Sequence, residues 1–284
     1  MESILFLKYR RIAVLLICLV TCPVMGQGKL KRMLQREDYA RWQVMTSEGF
    51  SNDGRWCSYS VRYESGLDTL FVKRTDGKKQ HAFPKGTFGK FNGNGRFACG
   101  NDRMQLRVLE LETGKASTLE NILRYEWVAD GRYLLFCQKE GEMQNIVLHD
   151  AKGREQLKIE NIGAYSVSPS GGRMAYTTNN DVTATSGTVN FDGILSIREV
   201  VSSTAAAFGK PVWDKGSKAF VFMEVSKSNT EDVGKVHLYR VDESRLLTLG
   251  VAANETVPKD LHLSLNAELI NVTPDLKRVF FGMK

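Results

Sequence analysis

The sequence predicts an all-β protein, a β-propeller of about five four-stranded blades with the start of a sixth. Two recurrences and one absence point there. Five segments share a polar turn rich in Asp, Asn and Gly, then a basic residue, then an alternating apolar strand. A second strand that runs into another polar turn recurs between them. No stretch from residue 50 to 284 shows a sustained helical period.

The chain opens on Lys8, Arg10 and Arg11, the apolar run Ile12–Val20 and then Thr-Cys-Pro-Val-Met-Gly. A basic stretch, a short apolar core and small residues near a cut site describe a signal peptide over residues 1–26, with cleavage after Gly26. The apolar run is too short to span a bilayer, which takes ~20 residues. Leu19-Val20-Thr21-Cys22 offers a rival, a lipoprotein box acylated at Cys22, although Thr21 suits that position poorly. The expectation is export to the periplasm or the exterior, with no transmembrane helix in the mature chain. Residues 27–49 form an entry segment, in which Leu30–Trp42 has helix-forming composition, and residues 50–284 form the propeller domain.

The five turns read Ser51-Asn-Asp-Gly-Arg, Asn92-Gly-Asn-Gly-Arg, Ala129-Asp-Gly-Arg, Ser168-Pro-Ser-Gly-Gly-Arg and Asp214-Lys-Gly-Ser-Lys. Their glycines at 54, 95, 131, 171 and 216 are spaced 41, 36, 40 and 45 residues apart. About 40 residues per unit is the length of a four-stranded blade. Glycine there supplies the positive φ of a tight turn without a Cβ clash. The second strands, Leu70–Lys78, Leu106–Lys115 and Ile146–Arg154, each end in a polar turn with Gly, and Val236–Asp242 keeps the strand but loses the Gly. Thr177–Asn190 is polar, small and nearly uncharged, so it reads as an exposed loop in the fourth unit. Val272-Thr-Pro-Asp-Leu-Lys-Arg-Val-Phe-Phe looks like a sixth unit beginning, with Leu276 in place of the turn glycine. The chain then stops at Lys284. An open ring leaves edges that template aggregation, so the expectation is a fragment of something longer.

The formal net charge of +7 does not point to nucleic acid. The leader holds a net +2 and residues 27–36 hold +4, leaving the body at +1 with no basic cluster. After the leader is removed three cysteines remain, Cys57, Cys99 and Cys137, each in an apolar strand-like run. Buried free thiols are expected, and Cys99–Cys137 is the pairing to test.

Catalytic constellations are absent. Ser47 and Ser170 have Gly two residues later but not two residues earlier, so neither is a nucleophile elbow. His81, His149, His237 and His262 are scattered, without zinc spacing. Gly93–Ala98 matches a dinucleotide fingerprint by letter, but a strand follows where a helix is needed. His149-Asp150 is an adjacency, not a pair with geometry. The sequence therefore nominates no catalytic, cofactor-binding or metal residue and no cofactor.

Leu34-Gln-Arg-Glu-Asp-Tyr-Ala-Arg-Trp-Gln-Val-Met, followed by Glu48-Gly-Phe-Ser-Asn-Asp-Gly-Arg-Trp-Cys-Ser-Tyr, resembles the entry of exported bacterial serine peptidases of the prolyl oligopeptidase family. The resemblance spans about residues 30–284 and is most specific over 34–85. It implies a propeller that gates access of short peptides to a C-terminal α/β-hydrolase domain with a Ser-Asp-His triad. That domain is the implied partner, and none of its catalytic positions exists here, so the chain alone is expected to be inactive. Dipeptidyl-peptidase relatives place an acidic pair near the substrate amine, and this chain has no Glu-Glu. The other expectation open at this point is an exported propeller that serves as a protein-interaction module of the cell envelope, without enzymatic activity.

Overall fold

The computed structural model describes residues 32–39, 41–180, 182–226, 234–250, 263 and 270–282. The signal-peptide expectation, with Cys22, lies outside these residues, as does His262. By contacts the chain divides into Met1–Gln43 with Tyr63–Ser65, and Val44–Arg62 with Gly66–Lys284. In the first unit a single helical turn, α1 (Arg36–Tyr39), is held at its start by Asp38, which accepts the Gln35 amide at 3.0 Å and pairs with Arg32 at 3.2 Å. The helix expected over Leu30–Trp42 is thus one turn among the described residues.

The second unit is β throughout. The first sheet contains β1 (Gln43–Phe50), β2 (Trp56–Tyr63), β3 (Thr69–Arg74) and β4 (Gln80–Pro84), in that spatial order. The second contains β5 (Thr87–Phe91), β6 (Arg96–Gly100), β7 (Leu106–Glu110) and β8 (Ala116–Leu119). The third contains β9 (Ile122–Val128), β10 (Tyr133–Glu140), β11 (Met143–Asp150) and β12 (Glu155–Ile159). The fourth contains β13 (Ile162–Val167), β14 (Arg173–Asn179), β15 (Ala184–Asn190) and β16 (Ser196–Ser203). In the fifth the inner strand is split into β17 (Ala206–Phe208) and β18 (Val212–Trp213), both paired with β19 (Ala219–Ser226) ahead of β20 (Lys235–Arg240) and β21 (Arg245–Gly250). Gly209-Lys210-Pro211 makes the break, since proline cannot donate to a ladder. A two-stranded sheet, β22 (Asn271–Val272) and β23 (Val279–Phe280), ends the series. β2–β3, β6–β7, β10–β11, β14–β15 and β19–β20 all pair antiparallel, as expected of propeller blades joined by tight turns.

The inner turns share one construction. The first turn residue is Ser51, Asn92, Ser168, Asp214 or Thr273, and its side chain accepts the amide four or five residues on: Trp56 at 3.0 Å, Arg96 at 2.9 Å, Arg173 at 3.1 Å, Ala219 at 2.7 Å and Arg278 at 3.1 Å. The fourth residue takes the left-handed conformation: Gly54, Gly95, Gly171, Ser217 and Leu276 all have positive φ. Gly216, expected to serve in the fifth turn, does not. The Asp214 carboxylate accepts the Gly216 amide at 2.7 Å and sets the turn so that Ser217, φ 60°, makes the reversal instead. The third turn lacks a capping side chain and runs through positive φ at Ala129, Asp130 and Gly131.

Adjacent sheets bury one core between each pair. Trp56, Leu70 and Val72 of the first sheet meet Phe97, Cys99 and Leu109 of the second. Ala98 and Val108 on the other face of the second sheet meet Leu134 and Phe136 of the third. Leu135, Cys137 and Ile146 then meet Tyr165, Met174 and Val189 of the fourth. Ala175 and Ala184 meet Phe208, Phe220 and Phe222 of the fifth, whose far face packs on Val272 and Val279. Cys99 and Cys137 therefore belong to different cores, and all three described cysteines are free.

Thr177–Asn190 overturns its expectation of an exposed loop. Most of it is the two central strands of the fourth sheet, with Thr177, Ala184, Ser186 and Val189 fully buried. Small and β-branched residues suit a strand packed on both faces. The polarity is absorbed locally, as where the Thr188 hydroxyl donates to the Met174 carbonyl at 2.9 Å.

Candidate functional site

Inner strands β1, β5 and β9 come side by side around a hollow of about 360 Å³. Glu48 and Phe50 of β1, Lys90 of β5 and Glu126 with Trp127 of β9 line its wall, with Ser58 of β2 behind. Burial raises the Glu126 carboxyl above the usual carboxylate range, against the pull of Lys90 and Arg124. Glu48 accepts a hydrogen bond from the Ser60 hydroxyl, and Ser58 donates to the Gly49 carbonyl at 3.4 Å. Gly89 in this wall is held to its size by packing, since a Cβ there would lie 2.4 Å from the Phe97 ring. Carboxylates contributed by the first and third sheets thus share one wall with a lysine, an arrangement suited to contacts with an extended polar chain. The wall has no histidine, and its one described serine is engaged with backbone.

Aromatic N–H groups stitch the inner strands together. Trp127 Nε1 donates to the Lys90 carbonyl at 3.2 Å, and Trp213 Nε1 donates to the Ser166 carbonyl at 3.0 Å. In both cases the tryptophan lies at the end of an inner strand and reaches the inner strand of the preceding sheet. At the hollow, the Trp127 bond ties β9 to β5.

Residues weighed from sequence are spread across the sheets. Ser47 lies on exposed β1, and Ser170 sits in the fourth inner turn, 3.1 Å from the Ser168 hydroxyl. His81 packs against Trp56 at 5.8 Å. His149 meets Phe136 edge-on at 4.8 Å, and burial lowers its imidazole below the ordinary value. Its neighbour Asp150 is occupied by its own turn, accepting the Lys152 amide at 2.8 Å and pairing with Arg154 at 2.8 Å. Gly93–Ala98 is the second inner turn and the start of β6. Among the described residues no group of three or more His, Cys, Asp and Glu could hold a metal ion, and no helix is long and apolar enough to cross a membrane.

Sequence reasoning missed one cluster in the fifth sheet. His237 Nε2 is 2.7 Å from Glu224, and its Nδ1 is 2.9 Å from the Thr248 hydroxyl. Lys235 pairs with the same glutamate at 2.9 Å. The side chains come from three neighbouring strands, with His237 directly opposite Thr248 and Phe222 in the ladder. Burial lowers the His237 imidazole, against the pull of Glu224. The signal was available only after pairing: three polar residues at the cross-strand positions of adjacent strands. With His237 only 3% exposed and stacked on Phe222 at 4.8 Å, the cluster acts as a polar clamp across the sheet.

No protein-family model matches the chain, and no curated protein matches it. Solved structures do. The β-propeller domain of the Trilobed protease from Pyrococcus furiosus, described as having an open velcro topology, is 12% identical over 78% of this chain and 74% of its own, with a TM-score of 0.41. The Pyrococcus horikoshii acylaminoacyl peptidase is 11% identical over 80% of this chain and 41% of its own, with a TM-score of 0.41. Kuenenia stuttgartiensis hydrazine synthase is 10% identical over 81% of this chain and 71% of its own, with a TM-score of 0.39.

Proposed function

We propose that this chain is the substrate-gating propeller of an exported serine peptidase of the prolyl oligopeptidase type, with cleavage of short peptides carried by a separate α/β-hydrolase domain. The observation that carries this reading is the inner-strand hollow. It offers Glu48, Lys90 and Glu126 to a polar chain and brings no histidine to its wall. The entry sequence Leu34–Tyr59, leading into the first blade, supports the same reading. Gating of this kind works by steric exclusion: a wall of bonded strands admits short chains and rejects folded ones.

The test uses the purified chain and the full polypeptide of its source. The chain alone is expected to leave proline-containing chromogenic peptides intact. The full polypeptide is expected to cleave them, and to accept casein as well once residues 50–284 are deleted. Serine-reagent-sensitive turnover by this chain alone would sink the proposal. A full polypeptide without a G-x-S-x-G domain would do so too, and would favour an envelope interaction module. For export, N-terminal sequencing of the secreted protein is expected to begin at Gln27, whereas a lipid-modified Cys22 would assign the leader to the lipoprotein class.

A further inference from the structure

The basic residue after an inner turn reaches across to the outer turn of the next sheet. Arg55 lies 3.4 Å from Glu112 between the first and second sheets. Arg132 lies 3.5 Å from Asp192 between the third and fourth, and Arg173 lies 3.0 Å from Asp242 between the fourth and fifth. Three of four junctions between the five sheets are thus latched by an arginine and an acid.

The junction between the second and third sheets departs from this rule. Its arginine is Arg96, and the outer turn it faces reads Asp150-Ala151-Lys152-Gly153. Lys152 stands immediately before the left-handed Gly153, as Asp192 stands immediately before the left-handed Gly193. A cation has replaced the acid. Asp150 in the same turn is already neutralised by Arg154 at 2.8 Å. Like charges brought together across an interface are destabilising unless something negative lies between them.

The same junction encloses a hollow of about 480 Å³, within the usual range for small-molecule sites. Arg96, Lys115 and Lys152 line it, and among the described residues none of their side chains has a partner in an ion pair or hydrogen bond. Val108, Leu134 and the Trp127 ring supply an apolar floor. The remaining acid in the wall, Glu110, accepts the Thr113 hydroxyl at 2.6 Å. His149, whose imidazole burial keeps neutral at pH 7, adds a group able to donate or accept.

We propose that this cleft binds a small organic acid. Its carboxylate takes the place that aspartate or glutamate takes at the other junctions, between Arg96 and Lys152, and its apolar body lies on Val108, Leu134 and Trp127. The planar guanidinium of Arg96 suits a carboxylate bidentately, and Lys152 adds a point charge. Occupation would latch the second and third sheets as the built-in pairs latch the others.

Calorimetric titration of the full chain tests this with three probes of one shape: 3-phenylpropionate, phenyl phosphate and the neutral 3-phenylpropanol. Saturable binding of 3-phenylpropionate is expected, at least tenfold tighter than that of the alcohol and weakened by 0.5 M NaCl. Lys152→Asp supplies the missing acid, so it should raise the thermal midpoint without ligand and weaken 3-phenylpropionate at least tenfold. Arg96→Gln should weaken binding to a similar degree without raising the midpoint. Tighter binding of phenyl phosphate, lost in the same variants, would support the site and assign its acid group to the phosphate class. Absence of saturable binding by either anion would overturn the proposal, as would wild-type affinity in Lys152→Asp.

Discussion

Asp214 is 1% exposed, and its carboxylate accepts the amides of Gly216, Lys218 and Ala219, each at 2.7 Å. Asp214→Ala would leave the buried Ala219 amide and two part-buried amides unpaired, so a loss of about 3 kcal/mol is expected in urea denaturation. The turn glycines are not equivalent either. Gly54 has open space around a notional Cβ, whereas at Gly131 a Cβ would lie 2.0 Å from the Asn92 carbonyl oxygen. Gly54→Ala should cost about 1 kcal/mol for its left-handed φ, and Gly131→Ala clearly more, by the same measurement. His237 gives a pH dependence. Its folded value is lowered, so the unfolded chain binds the proton more readily, and stability falls as pH drops through the ordinary value of 6.5. Glu224 is also lowered and adds a loss further down, as pH falls below 4.5. The thermal midpoint should therefore drop between pH 7.5 and 5.5, and His237→Gln should flatten that slope. Four of the five turn glycines were legible in sequence because a tight reversal needs a residue free of Cβ. The fifth was not, because Asp214 redirects its turn through hydrogen bonds that letters do not display.

At the scale of the strand, the repeat was readable and the fourth sheet's centre was not. Continuous runs of large apolar residues mark β10 and β19, but Thr177–Asn190 builds a buried strand pair largely from Thr, Ser, Gly and Ala. The Thr177 and Thr188 hydroxyls find carbonyls only once the strands are paired, so composition alone mimics a loop. The Glu224–His237–Thr248 clamp hides for the same reason: its members are neighbours across strands, not along the chain. The stitching tryptophans allow a direct measurement. Trp127→Phe and Trp213→Phe keep the aromatic volume and delete the N–H donor to the preceding inner strand. Each should cost about 1 kcal/mol in denaturant unfolding.

Across the whole molecule, burial rises from the strand that starts the series to the strands at the centre of each sheet. β1 is exposed along nearly its entire length, whereas β10 and β11 are packed on both faces. Hydrogen exchange should follow that gradient: peptides over Gln43–Phe50 and Asn271–Phe280 exchange first, and those over Tyr133–Asp150 last. Equal protection at both places would contradict the packing described above. The thiols offer a second readout. Burial pushes the Cys99 thiol up to about 12, and Cys57 is the least buried of the three, so iodoacetamide should label Cys57 well before Cys99 or Cys137 in the native state.

The two-faced middle strands also decide where the chain tolerates a change in length. Leu134 and Phe136 serve the core shared with the second sheet, while Leu135 and Cys137 serve the core shared with the fourth. A single residue inserted within β10 would exchange these sets and spoil two cores at once. An insertion in a turn spoils neither. The uneven unit lengths, from 36 to 45 residues between turn glycines, are then a map of where drift is silent. Codon gains and losses should accumulate between strands, and a screen of random one-residue insertions should recover folded protein almost exclusively from the turns.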